Sequence, residues 1–237
     1  MTRSSLRVLS AALAAGLLLV TAASTATASV PDRGPELRVV TWDRTAPTDA
    51  APTDRSCAVQ AQPLLPGQDA DAVAPAPEVC FDSLEEALEF VSGHDVAAQR
   101  LAGASKGEVD GLVAELNASS AATEQGASAR VAAAALSSQV LGILWRDANY
   151  KGASQVLYGQ GTNGCWTGST YGFPNLANFL MNNVATSAST YSGCWVTLYD
   201  SYSYAGSKKN CTPHCSNLGT FDNRASSVVY RPAGQLG

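Results

Sequence analysis

The sequence predicts an all-β C-terminal domain built from an internal repeat, preceded by an N-terminal region that is partly helical or disordered. Three observations carry this. All eight tyrosines and three of the four tryptophans follow Val140, whereas eight of the eleven prolines precede Phe81. The nine residues from Leu144 to Gly152 recur in pattern from Leu198 to Gly206. The segments around these landmarks are short and β-prone, as in Gln155 to Tyr158, Val196 to Tyr199 and Ser227 to Tyr230, and Gly, Asn and Ser clusters separate them. That spacing is the signature of an antiparallel sandwich.

The chain begins with Arg3 and Arg7, an apolar stretch from Val8 to Val20, and the small residues Ala26, Thr27 and Ala28 before Ser29. Residues 1–28 therefore read as a secretory signal peptide, too short in its apolar part for a membrane span. No later stretch replaces it, so the expected product is secreted, extracellular and free of the membrane after signal cleavage. Six cysteines in an exported chain favour disulfides. They divide into Cys57 and Cys80, then Cys165, Cys194, Cys211 and Cys215. We expect the first two to pair and the other four to stay within the C-terminal domain, where three connectivities remain open.

Residues 29–80 are rich in Pro, Ala, Asp and Thr without periodicity, the composition of a poorly ordered linker that holds one cysteine pair. Residues 81–140 read as a helical prosegment or linker. Ser83 with Glu86 forms a capping-box pattern, Leu84, Leu88 and Val91 share a face, and Gly93 ends that helix. Ser105 with Glu108 repeats the pattern, followed by the stripe Val109, Leu112, Val113 and Leu116. Ala127 to Val140 reads as a third, alanine-rich helix. The aromatic-poor helices offer little mass for an independent core.

Charge divides in the same place: residues 29–142 hold seven basic and seventeen acidic side chains, and the rest of the chain holds six and three. An acidic segment of this kind can dock on a basic domain as a prosegment or serve as a solvated linker, and its composition favours the linker. The basic excess after Ile143 is too small and scattered for nucleic acid.

The C-terminal domain is expected over residues 141–233, with a tail at 234–237. Both copies of the repeat place an aromatic, four residues, an aromatic, one residue and a glycine: Trp145, Tyr150 and Gly152, then Tyr199, Tyr204 and Gly206. A glycine at that point suits a bent hairpin with positive φ. Asn175, Leu176 and Phe179 match Asn217, Leu218 and Phe221. Asn182 to Ser187 matches Asp222 to Ser227 once the insertion Leu180, Met181 is allowed.

These residues resemble the Greek-key motif of the βγ-crystallins, two of which make one sandwich domain. The resemblance covers about Ile143 to Arg231. It implies that Ser187 and Ser227 clasp the hairpins Tyr150 to Gly152 and Tyr204 to Gly206. It also implies two cation sites, because microbial members carry Asn/Asp, Asn/Asp, x, x, Ser/Thr, Ser, which both copies match. The residues concerned are Asn182, Asn183, Val184, Thr186, Asp222, Asn223, Arg224 and Ser226. By this analogy the side chains of Asn183, Asn223, Thr186 and Ser226 and the carbonyls of Val184 and Arg224 ligate, each site drawing on both loops. Calcium takes six to eight oxygens from such groups. Asp222 is the one carboxylate in the two loops and Arg224 adds positive charge, so binding is expected to be weak.

No catalytic constellation is legible. After Ile143 the carboxylates are Asp147, Asp200 and Asp222 and the one histidine is His214. His214 lies between Cys211 and Cys215, a disulfide-tied turn more than a zinc site, since a fourth ligand is missing. The sequence thus predicts a non-enzymatic protein, first a calcium-stabilised module. The alternative is a peptidase inhibitor of an extracellular protease, resembling streptomycete metalloproteinase inhibitors in size and cysteine count. Its reactive loop would come from Tyr158 to Gly172 or from Lys208 to Asn217. A killer-toxin-like protein is a third reading with no residue of its own.

Overall fold

Each copy of the repeat opens with a hairpin whose turn only unusual backbone can make. Strands β3 (Ser138–Asp147) and β4 (Lys151–Gln160) are joined through Asn149, Tyr150 and Gly152, at φ of 60°, 61° and 73°. The second hairpin, β7 (Cys194–Tyr199) to β8 (Lys208–Cys211), repeats this at Ser203, Tyr204 and Gly206, at 53°, 62° and 81°. The computed structural model that gives these angles describes residues 55–64, 77–96, 101, 104–126, 138–160 and 164–237. The signal peptide, residues 29–54 and 65–76 of the expected linker, and residues 127–137 of the expected third helix lie outside them.

Two sheets follow from the repeat. Strand β6 (Ser187–Thr190) pairs with β3, and β9 (Ser227–Pro232) pairs with β7, both antiparallel. The fourth position in each sheet is filled from the other copy. Strand β5 (Tyr171–Phe173) pairs with β9, and Cys215 bridges Ala188 of β6. Leu141, Leu144, Leu157, Phe173, Leu176, Leu198, Leu218 and Tyr230 fill the space between the sheets. Gly142 is required there, because a Cβ at that position would lie 2.3 Å from the Tyr230 ring. The all-β sandwich expected from the repeat is present, with β3 starting at Ser138 instead of residue 141.

The N-terminal region differs from the expectation. Residues 56–63, assigned to a linker, form β1 (Ser56–Pro63), which lies parallel to β4 and then antiparallel to β5, bridging the two sheets. Strand β2 (Glu78–Phe81) adds on its outside, tied by the expected Cys57–Cys80 disulfide. Its physical basis is a short segment of small apolar residues, Ala58, Val59 and Ala61, all buried. Proline-rich surroundings masked that segment in the composition.

Helix α1 (Leu84–Ser92) has its predicted ends: the Ser83 hydroxyl accepts from Glu86 N at 3.2 Å, and Gly93 closes it at φ 68°. Helix α2 (Lys106–Gly126) starts where Ser105 N donates to the Glu108 carboxylate at 2.7 Å. The stripes of both helices are buried, yet against the domain and not in a core of their own. Leu88, Val91, Leu112 and Val113 pack on Val140, Ile143, Trp145 and Val156 of the outer sheet face. Residues 138–140, expected to end a third helix, belong to β3.

Candidate metal centre

The two candidate loops are crossed over one another. Asn183 N donates to Ala225 O at 2.9 Å, and Asn223 N donates to Ala185 O at 3.1 Å. Leu176 N donates to Ser226 O at 2.9 Å, and Leu218 N to Thr186 O at 2.8 Å. Each of these bonds from copy one to copy two thus has its mirror. Asn183 and Asn223 adopt φ of 57° and 54°, a left-handed conformation that asparagine tolerates better than other non-glycine residues.

The loops run straight into the serine clasps. Ser187 Oγ accepts from Tyr150 N at 3.1 Å and donates to Asp147 O at 2.6 Å. Ser227 Oγ accepts from Tyr204 N at 3.0 Å and donates to Ser201 O at 2.7 Å. These are the roles that the resemblance gave the two serines, and they fix the candidate loops to the folded hairpins.

Of the eight residues named from the sequence, the structure joins two across the copies: Thr186 Oγ1 approaches Asn223 Oδ1 at 3.4 Å. Among the described residues no mirrored hydrogen bond links Asn183 to Ser226. At the first position of each loop, Asn182 Oδ1 and Asp222 Oδ1 are buried oxygens without a hydrogen-bond partner. Unpartnered buried oxygens are rare and call for a water or an ion. They recur at equivalent positions of loops that also carry Thr186 and Ser226 hydroxyls and main-chain carbonyls, the oxygen types that a hard cation such as calcium takes. The residues present fit the ion.

Copy two carries a competing charge. Arg224 Nη2 lies 2.7 Å from Asp200 Oδ2, and its guanidinium stands 5.5 Å over the Phe221 ring. Burial pushes the Asp200 carboxyl up, but hydrogen bonds from Ser207 and the Arg224 charge hold it net below its ordinary value. In copy one the position of Arg224 is Val184 and that of Asp200 is Arg146, so the two loops are electrostatically unequal.

Elsewhere, Cys57, Glu78 and Cys80 bring their sulfur and oxygen atoms within 4.8 Å, but both sulfurs are in the disulfide and no thiolate is left to ligate. Cys211 pairs with Cys215, so His214 sits on the disulfide-tied turn expected for it, and Cys165 pairs with Cys194. Two notable side chains were missed in the sequence. Glu78 lines a cavity of about 40 Å³ and its carboxyl is pushed up to about 7 by burial, with Gln155 pulling the other way. Asn117 is buried on α2, where a lone helical asparagine gives no signal above a poor helix former.

No protein-family model matches the chain, and no curated protein matches it. Solved structures do. A βγ-crystallin domain variant from Clostridium beijerinckii is 25% identical, with a TM-score of 0.31, and the match covers 38% of this chain and 97% of that one. A βγ-crystallin domain from Flavobacterium johnsoniae is 21% identical at a TM-score of 0.30, covering 40% and 99%. A βγ-crystallin from Ciona intestinalis is 22% identical at 0.30, covering 38% and 96%. Bent hairpins, serine clasps and a fourth strand exchanged between copies give the C-terminal part of this chain the βγ-crystallin fold.

Proposed function

We propose that the protein is an exported, non-enzymatic βγ-crystallin-type module that binds calcium weakly at the two crossed loops and is stabilised by it. The observation that carries this reading is the pair of buried, unpartnered oxygens, Asn182 Oδ1 and Asp222 Oδ1, at equivalent points of the repeat. Asn223, the Arg224 carbonyl and Thr186 from the other copy would hold one ion, with Asp222 beside them. Asn183, the Val184 carbonyl and Ser226 from the other copy would hold the second, with Asn182 beside them. An ion bound only by the folded state shifts folding toward it, by about 2.7 kcal/mol at a hundred times its dissociation constant. Export is supported by the leader pattern and by three disulfides.

The test is calcium titration calorimetry on the chelator-stripped mature chain, with thermal unfolding recorded alongside. Two unequal binding events and a higher Tm are expected, and Thr186→Ala with Ser226→Ala should abolish both. No heat and no shift would end the calcium reading. A second reading, inhibition of an extracellular protease, draws support from Trp166. It is 55% exposed on a turn pinned by Cys165–Cys194 and by Cys165 N donating to Ser192 O at 2.8 Å. Stoichiometric inhibition that Trp166→Ala removes would favour it, and no inhibition across metallo-, serine and cysteine proteases would remove it.

A further inference from the structure

The N-terminal segment is joined to the Greek-key domain in the manner of a second protein. Strand β1 fills the groove between β4 and β5, aligned with β4 over six residue pairs and with β5 over two. Val59 and Ala61 enter the core between the sheets, while Ala58 faces the core under the helices. The chain supplies to its own domain the edge strand that bridges the two sheets, a mode of recognition in which main-chain bonds give affinity and alternate side chains give specificity.

Helix α2 completes the contact with a buried polar clasp. Asn117 Nδ2 donates to Val140 O at 3.2 Å and to Ser192 Oγ at 3.0 Å, and its Oδ1 accepts from Val140 N at 2.9 Å. Its main-chain carbonyl accepts from Gln139 Nε2 at 2.8 Å. Strand β6 pairs with β3 only from Gly142 onward, and in its place Asn117 accepts from Val140 N while Val140 O accepts from Asn117 Nδ2 and, at 2.8 Å, from Ser192 Oγ of the domain. At the rim Tyr191 Oη donates to Asp110 Oδ1 at 2.9 Å.

No disulfide crosses this contact. Cys57–Cys80 lies within the segment, and Cys165–Cys194 and Cys211–Cys215 lie within the domain. We propose that the groove between β4 and β5, with the outer face of its sheet, is a strand-accepting binding surface. Its resident ligand is the chain's own β1-to-α2 segment, which a single backbone cut between Gly126 and Ser138 turns into a separate, exchangeable partner.

The test uses the full mature chain with a site for a specific protease placed within residues 127–137. After cutting, the two pieces are expected to co-elute with an unchanged near-ultraviolet circular dichroism spectrum. Isotope-labelled and unlabelled cut protein should then exchange pieces, giving mixed complexes by native mass spectrometry. Asn117→Ala, which strips the Val140 N–H of its acceptor and leaves Val140 O to Ser192 Oγ alone, should speed dissociation by roughly tenfold or more. Should that variant fail to fold before cutting, Asp110→Asn weakens the half-buried rim contact instead and should speed dissociation by a smaller factor. Loss of the near-ultraviolet spectrum on cutting would overturn the proposal, because the segment would then be an inseparable part of one core. Immediate parting of intact pieces, or association with no exchange over days, would overturn it equally.

Discussion

At the scale of single residues, the two serines do the same work by the same bonds. Each hydroxyl fills one donor and one acceptor of a bent hairpin that is held at positive φ by neighbours of little helical or strand preference. Replacing either by alanine strands a main-chain N–H and a carbonyl, which costs about 1–3 kcal/mol. Urea unfolding of Ser187→Ala and Ser227→Ala should show losses of that size in both, and a neutral result in either would deny that clasp its role. Arg224 makes a second prediction. Its charge stands beside one candidate site and is tied to Asp200, so Arg224→Gln should tighten the weaker calcium event about fivefold, as expected for removing one screened charge. An unchanged titration would place that guanidinium outside the reach of the ion. The serines were legible in the sequence because the repeat printed them twice in register. Asn117 was not, since its clasp depends on a buried strand residue 23 positions later in the chain.

At the scale of elements, legibility followed periodicity. The caps of α1 and α2 could be read because each is local to four residues, and the stripes because they repeat every turn. What the stripes pack against is non-local, and there the reading failed. One clue stood in β3, where Val140, Leu141, Ile143, Leu144 and Trp145 are apolar nearly without a break. A half-exposed strand alternates, whereas a strand covered on both faces does not. The register shift between Val140 and Gly142 sends Val140, Ile143 and Trp145 to the helices and Leu141 and Leu144 to the inner core. Strand β2 carries its own test. The Glu78 carboxyl is raised from 4.5 to about 7, so the folded state holds a proton that the unfolded state has released. Its stabilising share is complete below pH 4.5 and is lost as pH rises through 7. His214 slopes the other way, because burial and Lys106 depress it, with Asp110 opposing, and stability falls as pH drops below its ordinary 6.5. Melting curves from pH 5 to pH 8 should therefore lose their fall toward high pH in Glu78→Gln and keep their fall toward low pH. A Glu78→Gln curve that parallels the wild type would place the titration elsewhere.

At the scale of the whole molecule, the charge division favoured a solvated linker over an acidic segment docked on a basic domain, and the structure instead packs described parts of that segment on the domain, on a basis other than net charge. Among the described residues the ion pairs Arg55–Asp82 and Lys106–Asp110 lie within the segment, and Arg224–Asp200 lies within the domain. What crosses the contact is mainly apolar packing around Leu88, Leu112, Val113, Ile143 and Val156, main-chain pairing along β1 and the Asn117 clasp, with Tyr191 Oη donating to Asp110 Oδ1 and Lys106 Nζ standing 5.0 Å over the Tyr150 ring at the rim. Such terms respond to salt differently from charges. Raising salt to about 1 M shortens the screening length to about 3 Å and would release a segment held by its net charge. Burial of apolar surface is not weakened by screening, so a segment held in this way stays. The Val140 amide, bonded to Asn117 Oδ1 at 2.9 Å, reports the contact directly, because it exchanges with solvent only when α2 lifts away or the strand opens. Hydrogen exchange at Val140 should keep the same protection in about 0.05 M and in about 1 M sodium chloride, where screening is weak and strong respectively. Protection that collapses in high salt would return the contact to long-range charge and leave Asn117 a bystander. Retained protection at both salts would rest the hold on the segment on apolar packing, the β1 pairing and the buried Asn117 bonds, none of which screening removes.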